Sequence, residues 1–437
     1  MTSRTARTAC AGLTALAALL VHAPQAGAAT GPVGTNPADW TPKMTAPDGR
    51  NGNVALVRQL VPCGGTMYGV GRFSAFTSPA QGGQVFRRNN VISFSGTTGK
   101  VTTFNPNADA EVDTIAFNPS DCTTAYLGGK FTSIGGKPAS HIAAVDTRTG
   151  ALKTGFRHAA DREVSSIVWS HGRLLVGGYF TTINGASRSR MASLGPRTGV
   201  PDGYLTVSLA GSYPGVSNPT RAWNIQVNHR GTQALVTGVF TSANGKPRQQ
   251  VLQLDLGAGS ATVNGWTSPE LTTHCQDGTP FYAQDATYSP DDSKIYIAAT
   301  GGDVRGGLTH TGVCDAASAY RNAPSSQTHL WVNYTGCDTL LSVVSDASTV
   351  YVGGHQRWLD NPAGCNRPGP GAVSRPGLGG IDPATGKATS WRPGRSRGIG
   401  ADDLVLAFGG LWVASDNQNA VGSCGQEDHP GICFLPY

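Results

Sequence analysis

One motif recurs along the chain and limits what it can fold into. In its sharpest copy it runs from Ala125 through a Gly-Gly pair to Phe131, Thr132 and a second Gly-Gly, then from His141 through Asp146 to Gly150. Copies follow at Leu174 to Gly185 and Ala234 to Gly245, with weaker ones at Met67, Ile295, Val350 and Leu411. Taking Tyr68, Tyr126, Leu175, Leu235, Tyr296, Tyr351 and Trp412 as landmarks, the spacings are 58, 49, 60, 61, 55 and 61 residues. Self-similar units of this kind cannot bury their apolar face alone and stack on their neighbours instead. Each unit holds four short apolar or β-branched segments bounded by Gly, Asn, Asp or Pro, which read as strands. In the second unit these are Val112–Phe117, Thr124–Phe131, His141–Asp146 and Ala151–Phe156. The expectation is an all-β chain forming a single seven-bladed β-propeller.

Composition agrees. Of 437 residues, 59 are Gly, 27 are Pro and only 14% are charged, against about 25% charged in an average domain. Coiled coils and helical bundles need long Ala-, Glu-, Lys- and Leu-rich runs and are excluded. The glycines lack a collagen period, and the apolar strands rule out wholesale disorder.

Each repeated residue has a structural reason. The Gly-Gly pair marks a place where a side chain would obstruct a bulge or a neighbouring blade. The aromatics Phe73, Phe131, Phe180 and Phe240 are expected between blades. Asp146, Asp255 and Asp382 recur at one hairpin-turn position on separate units, so they read as turn residues and not as metal ligands. No cofactor or metal is called for. The last unit supplies Asp403–Phe408, Leu411–Ser415 and Ile432–Leu435, one strand short of four. The stretch Ala38 to Pro42, around Trp40, matches other fourth-strand endings. It is expected to complete the last blade as an N-terminal strand and so remove two free edges.

The pattern Gly-Gly-x-Phe-Thr followed by Asp-x-x-Thr-Gly resembles the propeller repeats of secreted actinobacterial proteins and of fungal cortical polarity markers. The resemblance spans residues 38–437 in outline and is sharp from about 120 to 260. It implies a propeller in an extracellular setting and transfers no catalytic residue, because the matching positions are scaffold.

Residues 1–28 read as a secretory signal, with Arg4 and Arg7 ahead of the apolar run Leu13 to Val21 and a small-residue cleavage site at Ala26 to Ala28. No later stretch approaches the about 20 apolar residues of a membrane span, so the propeller is expected over 29–437, secreted. Cleavage lowers the formal charge from +6 to +4 by removing two arginines. The only basic cluster, Arg392, Arg395 and Arg397, reads as a solvated loop, so no nucleic-acid partner is expected. Eight cysteines remain: Cys63, Cys122, Cys275, Cys314, Cys337, Cys365, Cys424 and Cys433. An even count in an exported chain points to four disulfides. Topology favours Cys63–Cys122 and Cys424–Cys433, with Cys275 joined to Cys337 and Cys314 to Cys365.

Loops joining second to third strands lie on the same face as the blade junctions. The expansions Thr300 to His329, His355 to Gly377 and Asp416 to Gly431, with the junction Thr272 to Gln284, all fall on that face. Insertions confined to one face mark a binding surface. They carry His274, Asp277, Asp303, Arg305, His310, Tyr320, Arg321, His355, Arg357, Trp358 and Asp360. A Trp among Arg, His and Asp suits sugar recognition, the ring stacking on a pyranose and the polar groups taking hydroxyls. The leading expectation is a secreted, lectin-like or adhesin module for a cell-surface glycan or a protein partner, as one component of a larger secreted antibacterial assembly. The alternative is an extracellular glycan hydrolase or lyase using Asp277, Asp303 and His310 or His355. No nucleophile elbow, His-Glu-x-x-His or phosphate-binding glycine motif is present.

Overall fold

The computed structural model describes residues 31–45, 54–213, 218–273, 275, 282–301, 312–395, 400–416 and 423–437. The leader at 1–28 and the candidates His274, Asp277, Asp303, Arg305 and His310 lie outside these residues. Among the described residues, regular structure is β-strand with two 3-10 turns, Pro79–Gln81 and Pro269–Thr272. No helix among the described residues is long and apolar enough to cross a membrane.

Among the described residues, seven antiparallel sheets with long first and second strands follow one another along the chain, beginning at Leu56–Cys63, Val112–Phe117, Val164–Ser170, Arg221–Val227, Tyr282–Tyr288, Leu340–Ser345 and Ala401–Ala407, with smaller sheets such as Lys43–Met44, Ala75–Ser78 and Gln84–Arg87 beside them. Within each of the seven, the second strand lies between the first and third. The fourth strand is regular only at Ala261–Val263 and Trp331–Tyr334. Elsewhere it shrinks to single bridges such as Val145 to Leu152 and Leu194 to Pro201. The expected strand Ala151–Phe156 is thus corrected to one paired residue. An outermost position rich in Gly and Pro supports little more, because Pro lacks the ladder donor.

Every first strand carries a β-bulge at its beginning, between Val57 and Gln59, Val112 and Thr114, Val164 and Ser166, Ala222 and Asn224, Ala283 and Asp285, Leu340 and Ser342, and Ala401 and Asp403. The repeated glycines follow from this. A Cβ on Gly129 would lie 2.4 Å from the Glu111 carbonyl oxygen of its own sheet's bulge. One on Gly128 would lie 2.6 Å from Val164 of the next sheet. Phe73, Phe131, Phe180 and Phe240 are fully buried, in clusters shared between neighbouring sheets. Asp146 accepts from the backbone N–H of Arg148 and Thr149, and Asp382 from those of Ala384 and Thr385, as hairpin turns require.

The residue after each bulge is polar and bonds to an adjacent sheet. Gln59 accepts from the Ile115 N–H at 2.8 Å, Thr114 from Ile167 at 3.1 Å and Ser166 from Ile225 at 3.1 Å. Asn224 donates to Asp285 at 2.8 Å, and Asp285 accepts from the Val343 N–H at 2.9 Å. Ser342 donates to the Ala401 carbonyl at 2.8 Å, and Asp403 accepts from the Leu60 N–H at 2.8 Å. That last bond links the seventh sheet to the first.

The N-terminal segment lies along the last sheet, the Gly34 N–H donating to the Pro436 carbonyl and the Ala38 N–H to that of Phe434, at 2.6 and 2.9 Å. Trp40 packs on Trp412 and Phe434, with ring centroids 5.8 and 5.5 Å apart. Lys43–Met44 then pairs with Phe76 and Thr77 beside the first sheet.

The disulfides are Cys63–Cys122, Cys275–Cys314, Cys337–Cys365 and Cys424–Cys433. The expected pairs Cys275–Cys337 and Cys314–Cys365 are corrected. Cys275–Cys314 and Cys337–Cys365 each tie the junction leading into a sheet to the loop of that same sheet, since both emerge at one edge of it. Arg395 is also corrected: it is buried, not solvated. Burial lowers its pKa to about 10, against the opposing charges of Asp416 and Asp402.

Trp412, fully buried, holds the first sheet, the last sheet and the N-terminal segment together, stacking on Phe434 at 4.6 Å and meeting Phe94 at 5.5 Å. Trp412→Ala is expected to cost about 3–5 kcal/mol in urea denaturation. A loss under about 1 kcal/mol would mean that this seam contributes little to stability.

Candidate functional site

The bulges aim side chains at one place. A bulge re-aims the extra residue out of the pleat, and here those residues are Arg58, Asp113, Ser165, Trp223, Gln284, Leu341 and Asp402. All seven line a single cavity of about 460 Å³. The polar residues that follow, including Gln59, Ser166, Asn224, Asp285 and Asp403, form the rest of its wall. Because each bulge sits at the start of a first strand, the cavity lies at the junction end of the sheets. The long, disulfide-bonded loops emerge at the same end.

Glu111 and Glu163, each just ahead of a first strand, and Lys130, just after a Gly-Gly pair, add a charged layer. Arg58 binds Glu111 and Asp402, each at 3.0 Å, and lies 4.0 Å from Asp113. Glu111 also accepts from Arg72 at 3.1 Å and Lys130 at 2.8 Å. Burial opposes its ionisation, yet Arg58 and Lys130 outweigh this and hold its pKa below the ordinary value. Asp113 differs. Burial, then the charge of Glu163, pushes its carboxyl up to about 7, against Lys130 and Arg58. Its Oδ2 is buried with no hydrogen-bond partner among the described residues. Burial also raises Asp402 to about 6, against Arg58, and Asp285 and Asp403 to about 6 and about 7, against the N–H groups they accept from.

One aromatic ring, Trp223, shares the cavity lining with these acids. The Arg221 guanidinium sits 4.3 Å from the Trp223 ring and 4.6 Å from that of Tyr179, while Tyr282 meets Trp223 edge-on at 5.4 Å. A partly aromatic cavity with convergent donors, acceptors and shifted carboxyls is the usual character of a ligand site.

The sequence candidates are placed differently. Arg357 is held by Asp338 through two side-chain bonds of 2.8 and 2.7 Å, and covers the half-buried Trp358 ring at 4.6 Å. His355 is half-buried against Gly400. Asp360 accepts from Asn333 and the Ala388 N–H, a structural task. Tyr320 is no loop residue: it belongs to strand Ala316–Arg321, is fully buried and packs edge-on against Trp266. Arg321 is exposed at the end of that strand. Sequence reasoning missed Arg58, Asp113, Glu163, Arg221, Trp223 and Asp402. The usable signal was a polar residue at one fixed position before each Gly-Gly strand.

No curated protein is significantly similar to the chain. Residues 171–202, little more than half of one repeat, match a family described as a domain of unknown function (DUF5122) beta-propeller. Among solved structures, hydrazine synthase of Kuenenia stuttgartiensis is similar at TM-score 0.50 and 10% identity, over 83% of this chain and 93% of that one. The WD40 β-propeller domain of Doa1 is similar at TM-score 0.46 and 10% identity, over 90% and 96%. The designed protein Ika8 is similar at 0.46 and 9%, over 89% and 98%. At such identity the likeness concerns the fold alone; what is shown is an all-β chain with a propeller-type stretch at residues 171–202.

A carboxyl whose folded pKa is raised stabilises the fold below its unfolded value, 3.8 for Asp113, and loses that contribution as the pH climbs through about 7. Asp113→Asn should therefore gain on the native protein by about 2–3 kcal/mol between pH 5 and pH 8 in parallel denaturation curves. Parallel curves at both pH values would show that Asp113 is ionised in the fold.

Proposed function

We propose that this chain is an exported recognition module. In this reading residues 1–28 are a removed leader. Residues 29–437 form one seven-bladed propeller, closed by the N-terminal segment as the outer strand of the last blade. Four disulfides fit an oxidising, extracellular setting. The ligand is a cell-surface glycan, or a protein partner within a larger secreted assembly, bound on the junction face.

One observation carries this reading. A cavity walled by a residue from each of the seven first strands lies at the end of the sheets where the long stapled loops emerge. Sheets fix the floor rigidly while loops supply variable contacts, the usual division of labour in binding proteins. Trp223, with Arg221, Asp113 and Ser165, offers a ring and hydroxyl partners for a sugar, and Trp358 stands on the loop side.

A second reading rests on Asp113 and Glu163. An acid raised to about 7 beside another carboxylate is the pairing that glycoside hydrolysis uses. Here Asp113 would act as general acid and Glu163 would be the second carboxylate.

Glycan-array binding by the native protein, Trp223→Ala and Trp358→Ala separates these readings. Recognition predicts sugar binding that falls at least tenfold in Trp223→Ala, with no release of reducing ends over days. Sugar release that disappears in Asp113→Asn would establish the hydrolase, and absence of any glycan signal would leave a protein partner.

A further inference from the structure

The opposite face carries a second opening that owes nothing to the junction cavity. Hairpins joining first to second strands lie there, and they differ in length. The second sheet's spans six residues, 118–123, but the third sheet's spans two, His171 and Gly172. A short hairpin beside a long one leaves their seam uncovered. At the preceding seam Tyr68 and Phe117 close to 4.4 Å, and the Cys63–Cys122 bridge ties the hairpins above them. At this seam the corresponding rings, Tyr126 and Trp169, lie 6.3 Å apart and nearly parallel at 27°, with no disulfide above them. The result is a cleft of about 600 Å³, lined by Tyr126, Phe156, Trp169, Lys153, Asp121 and Arg197.

The rim selects among ligands. Asp121 is occupied by Asn118 and Thr123, and Lys153 by Asp146 at 2.9 Å. Arg197 is exposed and has no hydrogen-bond or ion-pair partner among the described residues. An aromatic floor with one uncommitted guanidinium complements a flat-faced ring that carries an anion, because Arg pairs with carboxylate in a two-pronged fork.

We infer that this cleft binds a uronic-acid saccharide, one ring stacked on Trp169 and its carboxylate paired with Arg197. The site is independent of the junction-face reading, so either can fail alone. Calorimetric titration of the full mature chain with a galacturonic acid trisaccharide tests it. The neutral galactose trisaccharide and a proline-rich peptide serve as comparison probes. The expected result is saturable binding of the acidic sugar, tenfold or more weaker in Arg197→Ala and lost in Trp169→Ala, but unchanged in Trp223→Ala. Arg197 is at the surface, so its variant keeps the fold, and Trp169→Phe retains a ring should the alanine variant unfold. No binding of the acidic trisaccharide, equal binding of the neutral one, equal binding by Arg197→Ala, or binding of the peptide alone would overturn the inference.

Discussion

A circuit of seven side-chain hydrogen bonds holds the inner strands to one another. Each is made by the residue just after a bulge, at positions 59, 114, 166, 224, 285, 342 and 403. Singly such a bond adds about 0.5–1.5 kcal/mol. Their placement matters more than their sum, because a buried backbone N–H left without an acceptor costs about as much again. Sheets packed only by aliphatic side chains could slide along one another. These bonds fix height and register at every seam, and Asp285 serves two seams at once.

The same bulges explain the repeat signature and the cavity together. Inserting a residue at the start of each first strand brings its backbone toward the end of the second strand, where glycine stands in five sheets and would carry a Cβ 2.2 to 2.4 Å from a carbonyl oxygen, and where Ala299 and Ser415 stand in the other two. It also lifts one side chain out of the pleat and into the middle. The glycine pairs are therefore the outward sign of an inward-facing position. Those positions are skipped in the pairing of first and second strands, and here they are filled by Arg, Asp, Ser, Trp, Gln, Leu and Asp. Burial then gives the acids among them a second property, reluctance to ionise, which a site exposed to bulk water would lack.

Much of this was legible in the sequence and some was not. Strand boundaries, hairpin aspartates and the buried phenylalanines follow from local chemistry that repeats, so copies reinforce one another. Cys63 and Cys122 occupy equivalent hairpins, and their pairing could be read from that equivalence. For the four cysteines at 275, 314, 337 and 365 the same equivalence misleads, because it joins junction to junction and loop to loop, and pairing a junction with its own sheet's loop requires knowing which strands share an edge. Tyr320 looked like a loop residue because the preceding insertion hides where the third strand begins. The lining of the cavity stayed hidden for a deeper reason. The bulged positions share no residue type, so nothing repeats except their place, and that place appears only when bulges are drawn. The aromatic seam at Trp169 was likewise invisible, since it depends on two hairpins of different length lying side by side.

Native-state hydrogen exchange at the N–H groups of Leu60, Ile115, Ile167, Ile225 and Val343 tests the circuit most directly. These amides donate to five of its side chains, and they should exchange only through global unfolding, with one common free energy. Fast or independent exchange at Leu60, while the other four stay protected, would mean that the first and last sheets part on their own, and would contradict the account.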